Sequence, residues 1–163
     1  MKLLLAGPII SNNDQIEQIK SIGYEVLVVP DERIHLDEDI SDIDVVVCNS
    51  LFLFNDIKRF EKLKYIQLIS SGMDRVPIDY IMEKGIHIQN AQGVYSVPMA
   101  EWIVLKILEI YKSSRVFYEF QNERKWSKIR DLHELTDKTA AIIGFGAVGN
   151  EVAKRLKAFN VNI

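Results

Sequence analysis

The chain has 163 residues, of which 48% are hydrophobic and 26% charged, with a formal net charge of −3 at pH 7. That composition is ordinary for a globular protein, and its slightly acidic balance excludes the basic face that a nucleic-acid partner requires. No apolar run is long enough to span a membrane, since Lys106 and Glu109 interrupt even Trp102 to Ile110.

Taken in order, Lys2 to Ala6 is predicted as a first strand, with Gly7 and Pro8 as its turn. The start is too short in apolar residues for a signal peptide. Asn13 or Asp14 is expected to cap a helix through Ser21, with Ile16 and Ile19 facing inward. Tyr24 to Val29 is a second strand, and the carboxylate-rich stretch from Asp31 to Asp44 reads as a solvated face. Ile43 to Cys48 is a third strand. Cys48 is the single cysteine, expected as a buried thiol at the strand end, and one cysteine fits a reducing cytoplasm. Phe54 to Leu63 is predicted as a helix and Tyr65 to Ile69 as a fourth strand.

The turn from Ser70 to Arg75 follows that strand, at the sheet edge where open α/β proteins bind ligands. Backbone N–H groups of Ser71, Gly72 and Met73 are placed to form an anion nest; the alternative is a plain connecting loop. Pro77 to Lys84 is a short helix, and Ile86 to Gln89 a fifth strand. Five strands alternating with helices predict a flavodoxin-like α/β domain with a parallel sheet over residues 1–94.

From Tyr95 the sequence leads into a long helix apolar around much of its circumference, from Ala100 to Tyr111, expected to be covered by a layer or a partner. Glu101 is expected near the helix start, favoured by the dipole. Lys112 to Lys128 is polar with scattered aromatics, and His133 has no ligand-spaced partner, so no metal site is expected; His35 lies in the polar Asp31 to Asp44 stretch.

The apolar run from Ala140 to Ile143 is predicted as a parallel strand buried on both faces. Gly144, Gly146 and Gly149 follow at G-x-G-x-x-G spacing, and Val152, Ala153, Leu156 and Phe159 then recur at helical intervals. In such a strand–turn–helix, Gly144 makes the tight turn, Gly146 admits a pyrophosphate and Gly149 lets helix pack on strand. The N–H groups around Ala147 and Val148 would face the phosphates. Residues 95–163 therefore read as a linking helix and the first part of a Rossmann dinucleotide-binding domain, the alternative being an ordinary glycine-rich turn.

Three stretches resemble the D-isomer-specific 2-hydroxyacid dehydrogenases. Ser70 to Asp74 is similar to the family's S-A-G-V-D loop, Asn90 to Trp102 to its crossing segment, and Leu135 to Gly149 to the start of its cofactor domain. Asp137 and Asn160 stand where the family usually has glycine. The resemblance implies hydride transfer between NAD(H), or NADP(H), and a small 2-keto or D-2-hydroxy acid whose carboxylate rests on the amides of Ser71 to Met73. It also implies a catalytic Arg, Glu and His beyond Ile163, so these residues are expected to be the first half of an enzyme, inactive alone and self-associating, as a dimer. The competing readings are a non-catalytic dinucleotide-binding regulatory module and another two-domain NAD enzyme class. A phosphorelay receiver fits less well, because Val47, Cys48 and Asn49 occupy the strand end where it needs an acceptor Asp.

Overall fold

A computed structural model describes residues 1–7 and 13–163. They form two compact units, Met1–Gln92 and Gly93–Ile163, so the break falls two residues before the expected one.

The first unit is a five-stranded, all-parallel sheet: β1 (Lys2–Ala6), β2 (Glu25–Val29), β3 (Val45–Cys48), β4 (Tyr65–Leu68) and β5 (His87–Gln89), in the order β2-β1-β3-β4-β5. Alternation along the strands sends Leu4, Val46 and Ile66 to one face, where they pack with Leu51, Ile57 and Ile81. Leu3, Leu5 and Val45 point to the other, beneath Ile16 and Ile19 of α1 (Asn13–Ser21). α2 (Ile78–Glu83) begins after Pro77 and follows β4. Pro8 lies outside the described residues, so its turn does too, and Asn13 and Asp14, expected as caps, lie within the first turn of α1.

One predicted element is not formed. In place of a helix from Phe54 to Leu63 there are two 3-10 turns, Leu51–Leu53 and Ile57–Arg59. Asn55 is the cause. It is buried, and its side chain accepts from Leu36 N–H at 2.8 Å and donates to the Ile34 carbonyl at 3.0 Å. The Asp56 carboxylate then accepts from Lys58 N–H at 2.9 Å. Such side-chain bonds to backbone compete with helix propagation.

Asp44 fastens the start of the sheet, accepting from Lys2 N–H at 2.9 Å and from Lys64 Nζ at 2.7 Å. The Lys64 bond, then the Lys2 amide, hold its carboxyl below the usual value. A lowered folded pKa means stability present above the unfolded value and lost as pH falls through the folded one. Asp44→Asn is therefore expected to lower the unfolding midpoint near neutral pH. The gap to the wild type should close in acid, as paired thermal melts across the carboxylate range would record.

The second unit contains α3 (Ser96–Tyr111), α4 (Ser114–Asn122) and α5 (Ala147–Lys157). Ala100 and Val104 of α3 pack with Val152 and Leu156 of α5, and Leu135 and Val161 close this small core. The wide burial expected for α3 is not met within one chain: Trp102 is 60% and Ile110 75% exposed. α4 forms where only a polar segment was expected, with Phe117 and Phe120 edge-to-face at 6.4 Å on one side. Glu101 lies past the first turn of α3, so its expected dipole role is replaced by an ion pair with Arg155 at 3.3 Å.

The buried strand predicted at Ala140 to Ile143 is likewise absent. A single parallel bridge joins Thr139 to Asn162, with Ala140 N–H donating to the Asn162 carbonyl at 2.8 Å and Asn162 N–H to that of Lys138 at 2.7 Å. Beyond it Ile143 is fully exposed. A strand exists only by pairing, and no described segment pairs with residues 141–143.

Asp137 and Asn160 both adopt left-handed backbone, with φ of 64° and 57°. They meet through a bond from Asp137 N–H to the Asn160 carbonyl at 3.0 Å. This conformation is strained for side-chain-bearing residues, least for Asn and Asp. Asn160→Gly and Asp137→Gly are each expected to stabilise the unit by up to about 1 kcal/mol, readable by chemical denaturation.

Candidate functional site

Two rows of backbone amides stand out, one in each unit. In the second unit, Gly144 has a φ of 92°, a region open chiefly to glycine, and it swings the chain into α5. A Cβ on Gly149 would lie 2.4 Å from the Gly144 carbonyl oxygen and 3.2 Å from Ile142 Cγ2. Helix and preceding segment are therefore in contact there, as the glycine spacing required. Gly146 differs: a Cβ there would meet nothing within 4 Å. The turn keeps open space at the position assigned to a pyrophosphate.

No side chain caps α5, and the N–H groups from Gly144 to Gly149, including those of Ala147 and Val148, have no acceptor among the described residues. Such a row at a helix start favours an anion. Asn150 secures the turn, donating from Nδ2 to the carbonyls of Phe145 and Gly146, both at 2.9 Å. Nothing in the spacing singles Asn150 out, since its role depends on the fold of the turn. At the far end of α5, Arg155 bonds Glu151, which lowers the Glu151 pKa and raises that of Arg155.

In the first unit, the loop after β4 carries the second row. The N–H groups of Ser71, Gly72 and Met73 make no hydrogen bond among the described residues. Their carbonyls are better occupied. Ser70 Oγ donates to the Gly72 carbonyl at 3.0 Å, and Asn90 Nδ2 to that of Ser71 at 2.8 Å. Ala91 N–H donates to the Ser70 carbonyl at 2.9 Å, and Ser71 Oγ to the Ala91 carbonyl at 3.3 Å. With carbonyls tied back and amides unpaired, the loop has the hydrogen-bonding pattern of an anion nest at the carboxyl edge of a parallel sheet. Asn90 as its anchor is visible only once β4 and β5 lie side by side.

The remaining reactive residues are occupied elsewhere. Cys48 is buried, and burial, with the nearby charge of Glu32, pushes its thiol up to about 12. It is inert as a nucleophile. His35 Nε2 lies 3.3 Å from Arg59 Nη1, and the His133 ring packs on Tyr111. Among the described residues, no group of His, Cys, Asp or Glu is arranged to hold a metal, and no helix is long and apolar enough to cross a membrane.

The chain is similar to known proteins along almost its whole length. Residues 4–159 match the family model for the D-isomer specific 2-hydroxyacid dehydrogenase, catalytic domain. A D-3-phosphoglycerate dehydrogenase of Methanocaldococcus jannaschii is 30% identical over 166 residues, covering 100% of this chain and 31% of that protein. A hydroxypyruvate reductase of Thermotoga maritima is 32% identical over 148 residues, covering 87% of this chain and 48% of that one. Among solved structures, the NAD-dependent formate dehydrogenase of Staphylococcus aureus in complex with NAD aligns with a TM-score of 0.72 at 25% identity, over 99% of this chain and 54% of that one. The chain thus spans between about a third and about half the length of these proteins. With a family match over residues 4–159, almost its whole length, the chain belongs to the D-isomer specific 2-hydroxyacid dehydrogenase family.

Proposed function

We propose that this chain supplies the two anion grips of an NAD(P)-linked oxidoreductase acting on a small 2-keto or D-2-hydroxy acid. Residues 1–94 are the substrate domain, in which the amides of Ser71, Gly72 and Met73 receive the substrate carboxylate. Residues 95–163 begin the dinucleotide-binding domain, in which Gly144, Gly146, Ala147, Val148 and Gly149 receive the cofactor diphosphate. The observation that carries the reading is the pair of unpaired amide rows, each on a loop that carries the sequence resemblance to the family. NAD in the complex of the formate dehydrogenase relative supports the cofactor class.

The chemistry follows from electrostatics. A row of N–H dipoles fixes a carboxylate or a diphosphate without a cationic side chain. When bound, the cofactor would supply the hydride chemistry, while the two amide rows would hold the diphosphate and the carboxylate. The exposed apolar residues of α3 and α4, Trp102 and Ile110 among them, support association into a homodimer. The lone buried Cys48 suits a cytoplasmic setting.

A panel of 2-keto acids, run with NADH and with NADPH on the protein that carries this chain, tests the proposal. Cofactor oxidation dependent on a 2-keto acid is expected. Cofactor binding with no turnover of any such acid would favour a regulatory module instead.

A further inference from the structure

Packing contributes little to the shape of the turn that precedes α5. Gly144 and Gly146 carry no Cβ, so rotation about their backbone bonds meets little resistance. The Phe145 ring between them is 58% exposed, and a Cβ on Gly146 would meet nothing within 4 Å. The peptides on either side of Gly146 are held instead by one side chain. Asn150 Nδ2 carries two protons and donates to the carbonyls of Phe145 and Gly146, each at 2.9 Å. No backbone N–H of the described residues reaches the Phe145 carbonyl, whereas that of Gly146 also accepts from Asn150 N–H at 3.0 Å.

What these two bonds do follows from peptide geometry. A peptide unit is planar and trans, so its C=O and N–H point in opposite directions. The Phe145 carbonyl shares its peptide with Gly146 N–H, and the Gly146 carbonyl shares its own with Ala147 N–H. A side chain that draws both carbonyls toward the body of α5 therefore turns both amides the other way. Neither amide has an acceptor among the described residues. Were either peptide to rotate, a carbonyl oxygen would face an anion in place of an N–H and repel it.

We propose that Asn150 is a positioning residue of the dinucleotide site, whose side-chain amide aims the N–H groups of Gly146 and Ala147 at the cofactor diphosphate. The inference rests on the cofactor reading of this turn. Only chains with both amides turned outward are competent to bind, so releasing the carbonyls raises the apparent dissociation constant by the inverse of the competent fraction. The fold itself has little need of the asparagine. Residue 150 is exposed on α5, where leucine is the better helix former.

The test is titration of the 163-residue chain with NAD, followed by the amide signals of Gly146 and Ala147 and paired with thermal melts without ligand. Asn150→Leu, which has no donor, is expected to weaken NAD binding about tenfold. It should unfold no more than about 3 °C below the wild type. Asn150→Ser keeps one bond, since a serine hydroxyl in a helix donates to the carbonyl four residues back, here that of Gly146. It is expected to bind about threefold more weakly than the wild type. Undiminished binding by Asn150→Leu, a larger fall in its unfolding temperature, or an Asn150→Ser chain that binds no better than Asn150→Leu would each overturn the inference alone. If the wild-type chain bound no NAD, the cofactor reading would fall, and the inference with it.

Discussion

Gly146→Val is expected to abolish dinucleotide binding while leaving the unliganded chain nearly as stable as the wild type. The backbone at Gly146, with φ −81° and ψ −158°, is open to any residue, and its side-chain position is empty within 4 Å. A valine there would stand where the diphosphate is proposed to lie. Wild-type chain at a cofactor concentration a hundred times the dissociation constant should gain about 2.7 kcal/mol, and the variant none. Gly149→Ala is the control with the opposite signature. Its Cβ would meet the Gly144 carbonyl oxygen at 2.4 Å, and overpacking of that kind costs about 1–3 kcal/mol with or without cofactor. Unfolding midpoints of the three proteins, with and without NAD, separate the effects. Full stabilisation of Gly146→Val by NAD would remove the cofactor site from this turn.

The second large effect is expected at the amide loop. Gly72→Pro deletes one donor and restrains Ser71 before it, so the Michaelis constant for the keto acid should rise about tenfold or more. The constant for the cofactor should stay near its wild-type value. Ser71→Ala should change little, because the Ser71 hydroxyl serves the Ala91 carbonyl rather than the ligand. Gly72→Ala should also be mild: its Cβ would meet the tip of the Asp74 carboxylate at 2.6 Å, and that side chain is exposed and can swing aside. A proline variant that raised both constants equally would point to misfolding rather than to a carboxylate grip.

The inner strands β1 and β3 were legible because each is a short apolar run whose residues alternate between two covered faces, as Leu3, Leu4 and Leu5 do. The same signal misled at Ala140 to Ile143. An apolar run states a preference for strand, but pairing needs a neighbour, and only Asn162 supplies one. The segment after β3 was misread for a different reason. Its shape is set by Asn55 reaching back to Ile34 and Leu36, a contact between distant positions that no local pattern carries. α4 escaped notice because it is short and lies between Ser113 and Arg124, both in left-handed backbone, rather than between recognisable caps. At the candidate site, the glycines declared themselves by spacing. Asn90 and Asn150 did not, since each acts by bonding a backbone group that only the folded chain brings within reach.

Amide-resolved NMR of the chain during titration, first with NAD and then with D-glycerate, bears most directly on the paired anion grips. The expected result is that NAD moves the amide signals of Gly144 to Gly149 and D-glycerate those of Ser71 to Met73, each saturating with added ligand. Shifts centred elsewhere, or none at either row, would contradict the assignment of these two loops to cofactor and substrate.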